Sequence, residues 1–267
     1  MHSERVSERI SERTFFARSA LLFAASATVT IVWCASMSAM GGRSMPGGWT
    51  ISMAWMRMPG QTWPGVAASF LGTWLVMMVA MMLPPLVPML WRYRQAVRST
   101  GARRLGWLTA LVGAGYFLVW TVFGMAAFPL GATLAAVATR QPVLARAMPI
   151  AAGVVVMIGG TLQFTAWKTH HLACCREAPG RGRILPAATG TAWRHGLRLG
   201  LHCGYCCAGL MAILLVSGVM DLRVMAVVTV AVIAERVAPA GARVARAIGV
   251  VALGTGLLLI SRAAGLG

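Results

Sequence analysis

Residues Val66–Trp91 read VAASFLGTWLVMMVAMMLPPLVPMLW, without one charged side chain. As an α-helix this stretch rises about 1.5 Å per residue, which takes it past the roughly 30 Å of hydrocarbon in a bilayer. It predicts a transmembrane helix. Pro84, Pro85 and Pro88 are expected to kink or break it, because each lacks a backbone donor and crowds the preceding turn.

Working outward, further apolar runs predict helices over about 19–40, 107–130 (extending toward 138), 147–168, 196–219, 223–238 and 246–262. Composition agrees. The 267 residues are 58% hydrophobic and 11% charged, against about 25% charged in a soluble domain. The expected fold is all-α, a polytopic transmembrane bundle of about seven helices. Six is the alternative, since Glu235-Arg236 interrupts the run at 223–238. The expected domain layout is a leader over 1–18 and one transmembrane domain over 19–262. That domain carries a Met- and Trp-rich outer loop at 41–65 and a His/Cys-bearing loop at 168–196.

The leader repeats Ser-Glu-Arg at residues 3–5, 7–9 and 11–13, a pattern that suits a solvated or interfacial helix. The apolar run after it is too long for a signal-peptide core, and no A-x-A site follows, so it reads as a retained helix.

The net charge is +18. Nucleic acid is excluded as its cause, because the arginines sit between apolar runs rather than on a soluble face. Lys and Arg instead set orientation. With the N-terminus inside, the inner segments hold 18 of them and the outer segments 6. The positive-inside rule then predicts a cytoplasmic N-terminus. No Walker A, G-x-S-x-G or dinucleotide-binding glycine motif appears, so no ATP-driven motor is expected.

The chemistry is concentrated in two hexapeptides, His170-His171-Leu172-Ala173-Cys174-Cys175 and His202-Cys203-Gly204-Tyr205-Cys206-Cys207. Both read H-[H/C]-x-x-C-C. On a helix, positions i, i+1, i+4 and i+5 span roughly 140° of arc, so each segment is expected to present four ligands from one face. Thiolate and imidazole suit Cu(I) or Zn(II). The candidate metal ligands are His170, His171, Cys174, Cys175, His202, Cys203, Cys206 and Cys207. The plainer alternatives are small packing cysteines in the second segment and a wet helix end in the first. The adjacent cysteine pairs do not resemble a secreted disulfide framework.

Met77, Met78, Met81 and Met82 repeat the same spacing. Thioethers are soft ligands but also ordinary core filler. With Met45, Met53, Met56 and Met58 of the outer loop, and Met37 and Met40 at its edge, they suggest a thioether-lined intake for Cu(I). Zinc would make poor use of methionine. Gly196, Gly200 and Gly204 form a small stripe on a different face from His202 and Cys206, which predicts close approach of a neighbouring helix. Glu235 pairs with Arg236 as a snorkelling pair or relays protons. Cys34 reads as a plain buried thiol.

Three stretches resemble a bacterial family of predicted metal-binding integral membrane proteins, some labelled copper chaperones. They are Trp74–Pro88, Lys168–Pro179 and Gly200–Met211, with Gly218-Val219-Met220-Asp221 beside them. The likeness spans about residues 65–240. It implies membrane metal handling through Cys174, Cys175, Cys203, Cys206 and Cys207; the histidines come from the spacing alone. The leading expectation is Cu(I) binding and transfer or delivery, by a metal-binding or transport protein rather than an enzyme. A periplasmic or cytoplasmic metallochaperone is the partner such cargo calls for, with the lipid bilayer as surroundings. The alternatives are zinc or another soft metal as cargo, a membrane thiol-redox protein using the vicinal cysteines, and a mercuric-ion-type importer.

Overall fold

A backbone in hydrocarbon must satisfy its own hydrogen bonds, and helices do so within each segment. The chain follows that rule almost throughout. The computed structural model describes residues 2–39, 43–45, 49–51, 55, 60–97, 102–177 and 185–265. The elements in order are α1 (His2–Ala39), β1 (Arg43–Met45), β2 (Trp49–Ile51), α2 (Trp63–Ala96), α3 (Ala102–Arg140), α4 (Pro142–Leu162), α5 (Ala166–Glu177), α6 (Thr189–Gly218), α7 (Leu222–Val237) and α8 (Gly241–Ala263). Six of them, α1, α2, α3, α4, α6 and α8, are long and apolar enough to cross a membrane. Large apolar side chains such as Leu21, Val32, Val143, Val227, Val251 and Leu257 point outward. Lipid makes that surface favourable where water would not.

One open alternative is decided and two helix boundaries need correction. Helix α2 runs unbroken through Pro84, Pro85 and Pro88. Met81, Met82, Leu83, Leu86, Met89 and Leu90 around them are buried, so packing holds the segment despite its missing donors. Helix α1 already begins at His2 and includes the Ser-Glu-Arg repeat. The run expected over 147–168 ends at Leu162, and a separate helix, α5, carries the first hexapeptide. Between them the amides of Gln163, Phe164 and Thr165 bond three residues back, to Gly160, Thr161 and Leu162. That tightening re-aims the chain. Thr165 Oγ1 then accepts from the Lys168 amide at 3.2 Å, capping the new helix.

Helix α6 is the hub, packed against α3, α4, α5 and α7. Its glycine stripe faces a neighbouring helix as expected, and that helix is α3. A Cβ at Gly200 would lie 3.0 Å from the Tyr116 carbonyl oxygen, and one at Gly204 would lie 2.8 Å from the Phe123 ring. Glycine at these places lets the two backbones touch. Gly159 of α4 and Gly209 of α6 make a similar mutual approach, and Gly153 and Gly160 face Gly256 and Gly249 of α8.

Helix α7 rises only about 24 Å by its length, and it runs from beside Cys34 of α1 to the level of Cys206, midway along α6. Met225 in its first turn meets Cys34 of α1. Glu235 in its last turn meets Lys168 of α5. Among the described residues six helices are long and apolar enough to cross a membrane, and α7 is not one of them.

β1 and β2 form a small antiparallel hairpin over the α3–α4 end, where Trp49 Nε1 donates to the Ala145 carbonyl at 2.8 Å. Met45 is buried against Ala135, Ala138 and Ala145, so it serves packing there. Met40, Met53, Met56 and Met58 of the expected intake lie outside the described residues.

Candidate metal centre

Helix α5 buries Lys168, Leu172 and Cys175. Spacings of four and three put these on one face, turned toward α6. On α6, Cys203, Cys206 and Cys207 are buried. The two hexapeptides meet where Cys175 Sγ lies 3.8 Å from Cys206 Sγ. Cys206 Sγ is also 3.7 Å from Cys207 Sγ. Cys203 Sγ lies 2.9 Å from the hydroxyl of the buried Tyr116 on α3. All of these thiols are free.

The expectation of four ligands from one face of each helix is corrected. The eight candidates fall into three groups. Cys175, Cys203, Cys206 and Cys207 form the buried sulfur cluster. His171 and His202 form a second group, their Nδ1 atoms 3.1 Å apart, one donating and the other accepting. Trp167 and Tyr205 lie against the His171 ring. The third is His170 with Cys174, 3.8 Å apart on the exposed side of α5. The cause is geometric: an arc of about 140° is wide enough for one edge to face the core while the other faces out. Burial, with His202 and His170 nearby, holds the His171 imidazole below the ordinary histidine range. That favours the neutral ring, whose nitrogen lone pair can bind a metal.

The second correction concerns α7. Glu235 does not pair with Arg236, and neither side chain snorkels, since both are buried. Glu235 Oε2 accepts from Lys168 Nζ at 2.6 Å. Lys168 Nζ also donates to the Cys206 carbonyl at 2.5 Å. Arg236 turns the other way, into the sulfur cluster. Its Nη2 lies 3.3 Å from Cys206 Sγ, 3.6 Å from Cys175 Sγ and 3.8 Å from Cys207 Sγ. Its Nε and Nη1 are buried with no partner, as is Glu235 Oε1. Among the described residues, no three or more His, Cys, Asp or Glu side chains already surround one ion position. A guanidinium stands among the sulfurs instead.

Met77, Met78, Met81 and Met82 are all buried, in the same core cluster as Cys203, Cys206 and Cys207. Lys168 and Tyr116 escaped the sequence reading, and Arg236 was read only as a partner for Glu235. Lys168 carried a signal, lying seven residues before Cys175 and so on the same helix face. Tyr116 carried none, because its role depends on α3 crossing α6.

The spacing of the sulfurs suits a soft ion. Three sulfurs bound in a plane at about 2.3 Å from a metal stand about 4.0 Å apart. The pairs at 3.8 and 3.7 Å are close to that already. A family model described as PpoB2, copper chaperone, matches residues 71–259, well over half of the chain. No curated protein and no solved structure matches it.

Proposed function

The chain belongs to the PpoB2 copper chaperone family, and from that premise we propose that it carries its copper as Cu(I), bound by cysteine thiolates at the α5–α6–α7 junction. Cys206 is the constant ligand, because it belongs to both close sulfur pairs. Cys175 or Cys207 supplies the second thiolate. The observation that carries this reading is Arg236, a buried cation held 3.3–3.8 Å from three sulfurs.

Charge balance selects the ion. Lys168 and Glu235 cancel in their salt bridge, which leaves Arg236 as one positive unit. Uncompensated charge costs several kcal/mol in a buried site. Cu(I) with two thiolates carries one negative unit, which Arg236 neutralises. Hg(II) with two thiolates is neutral and would leave Arg236 unpaired. Zn(II) with four thiolates carries two negative units, one more than Arg236 can balance. On this reading the guanidinium shifts aside as the ion arrives and remains beside it as counter-charge.

The other groups order themselves around this centre. Met77, Met78, Met81 and Met82 offer weaker thioether contacts along α2. His171, His202, His170 and Cys174 lead from the cluster to the exposed side of α5, where a metallochaperone could exchange ligands. The excess of Lys and Arg at this end supports a cytoplasmic placement, in what we take to be a bacterial inner membrane. Delivery there, rather than a chemical reaction, is the function we assign.

The test is anaerobic Cu(I) titration of the purified protein against a chromophoric competitor, comparing wild type with Cys206→Ser. A loss of at least tenfold in affinity for the variant supports the reading. Equal affinity in both removes it. A Cys175–Cys206 disulfide that cycles during turnover with a quinone would favour the thiol-redox alternative instead.

A further inference from the structure

Cys34 reads as packing in the sequence, but its thiol does not face hydrocarbon alone. Its Sγ lies 4.0 Å from Met220 Sδ and 4.0 Å from Met225 Sδ. Cys34 and Met225 are buried, and Met220 packs against the same core. The three sulfurs come from three places in the chain, namely α1, the α6–α7 turn and the first turn of α7.

The turn is built to hold Met220 there. Gly218 has φ +125°, a conformation that side-chain-bearing residues rarely adopt. The Asp221 amide donates to the Gly218 carbonyl at 3.1 Å, closing the turn around Val219 and Met220. Asp221 Oδ1 then accepts from the amides of Arg223 and Val224, capping α7. The register of α7 is thereby fixed, and with it Met225, one helical turn on.

We propose that Cys34, Met220 and Met225 form a second soft-metal site, one thiolate and two thioethers, that takes Cu(I) at the end of the bundle opposite α5. The proposal stands on these contacts and does not depend on the centre proposed above. Both thiol-to-thioether separations equal the roughly 4.0 Å that a planar three-sulfur site requires with bonds of about 2.3 Å. Thioethers and thiolates are the ligands soft ions select. The charge also closes: Cu(I) enters, Cys34 gives its proton to water, and the resulting site is neutral with no change of oxidation state. No counter-ion is needed, unlike at the cysteine cluster.

The two sites are separate. From Cys206 to Gly218, where α6 ends just before Met220, the chain advances twelve positions, about 18 Å of helix. Met77, Met78, Met81 and Met82 belong to the same core cluster as both groups of sulfurs. Thioethers hold Cu(I) less tightly than thiolates, so an ion received at Cys34 would have a downhill route to the cluster.

The experiment uses the full chain in detergent, with Ag(I) as a redox-inert probe and bound metal counted by mass spectrometry after dialysis. Three variants accompany wild type: Met220→Leu/Met225→Leu, Cys34→Ala, and Cys203→Ser/Cys206→Ser/Cys207→Ser. Leucine keeps volume and burial close to methionine. The expected result is the loss of one equivalent of Ag(I) in the leucine and alanine variants, with far-ultraviolet spectra and elution unchanged. The triple serine variant should retain an equivalent that disappears when the leucines are added. Wild-type stoichiometry in a folded Met220→Leu/Met225→Leu protein overturns the proposal, whatever the serine variant does. A failure confined to the serine variant, with the leucine effect intact, counts against the cysteine cluster and leaves this site standing.

Discussion

Arg236 Nη2 lies 3.3 Å from Cys206 Sγ, and both side chains are sealed from solvent. A buried guanidinium is uncommon, and one whose remaining nitrogens lack partners is costly. Such a group persists where its charge has a use. If it balances a copper bis-thiolate, Arg236→Met should lower Cu(I) affinity at least tenfold. Arg236→Lys should recover part of that, since it keeps the charge but loses the planar fork. Competitor titration reads both. Equal affinity in the two variants would show that the charge is irrelevant.

The Lys168–Glu235 pair makes a different prediction. Removing one partner strands the other charge, which costs about 3–5 kcal/mol at a buried site. Lys168→Met and Glu235→Gln should each lower the unfolding temperature in detergent. The double variant Lys168→Met/Glu235→Leu should be less destabilised than the sum of its singles. Strict additivity would argue that the two side chains do not interact.

The α3–α6 contact should tolerate no bulk. Gly200→Leu forces a side chain against the Tyr116 carbonyl and Val119 and should cost more than about 2 kcal/mol. Gly113 on α3 has open space where a Cβ would go. Gly113→Ala should be neutral or stabilise by roughly 0.5–1 kcal/mol, as expected within a helix. Thermal unfolding followed by tryptophan fluorescence distinguishes them, and equal effects would contradict the packing described.

His171 gives the pH dependence. Its folded-state value lies below the ordinary one, from burial and the neighbouring histidines. The neutral ring is therefore kept as pH falls toward about 6.5 and lost only further down. Stability follows the same sign: proton uptake by the unfolded chain costs the fold as pH drops through the ordinary histidine range. Release of Cu(I) to an external thiol chelator should be flat from about pH 8 to 6.5 and change below that. His171→Gln should flatten the lower limb, and an unchanged limb in that variant would remove His171 from the route.

Much of this was readable before any coordinates. Charge-free runs located the helices because hydrocarbon forbids unsatisfied backbone over that length. The glycine stripe at 196, 200 and 204 forecast close approach of a neighbouring helix, because only small residues let helices approach so closely; the structure shows that neighbour to be α3. The errors share one cause. Local rules left a break of α2 at its prolines open, merged α4 with α5, and paired Glu235 with its sequence neighbour. Packing overrode the first, and a three-residue tightening at Gln163–Thr165 produced the second. The third failed because adjacent helix residues point about 100° apart. Glu235 therefore faces α5 while Arg236 faces the sulfurs. Cys34 is buried and free as read, and only its neighbours Met220 and Met225, remote in sequence, escaped notice.

X-ray absorption at the copper edge, on wild-type protein loaded with one equivalent of Cu(I) under reducing conditions, tests the central claim most directly. The account predicts a first shell of two or three sulfurs at about 2.3 Å, lost when Cys206 and its neighbours at 175 and 207 become serine. A shell dominated by nitrogen or oxygen, or a spectrum unchanged by those substitutions, would contradict it.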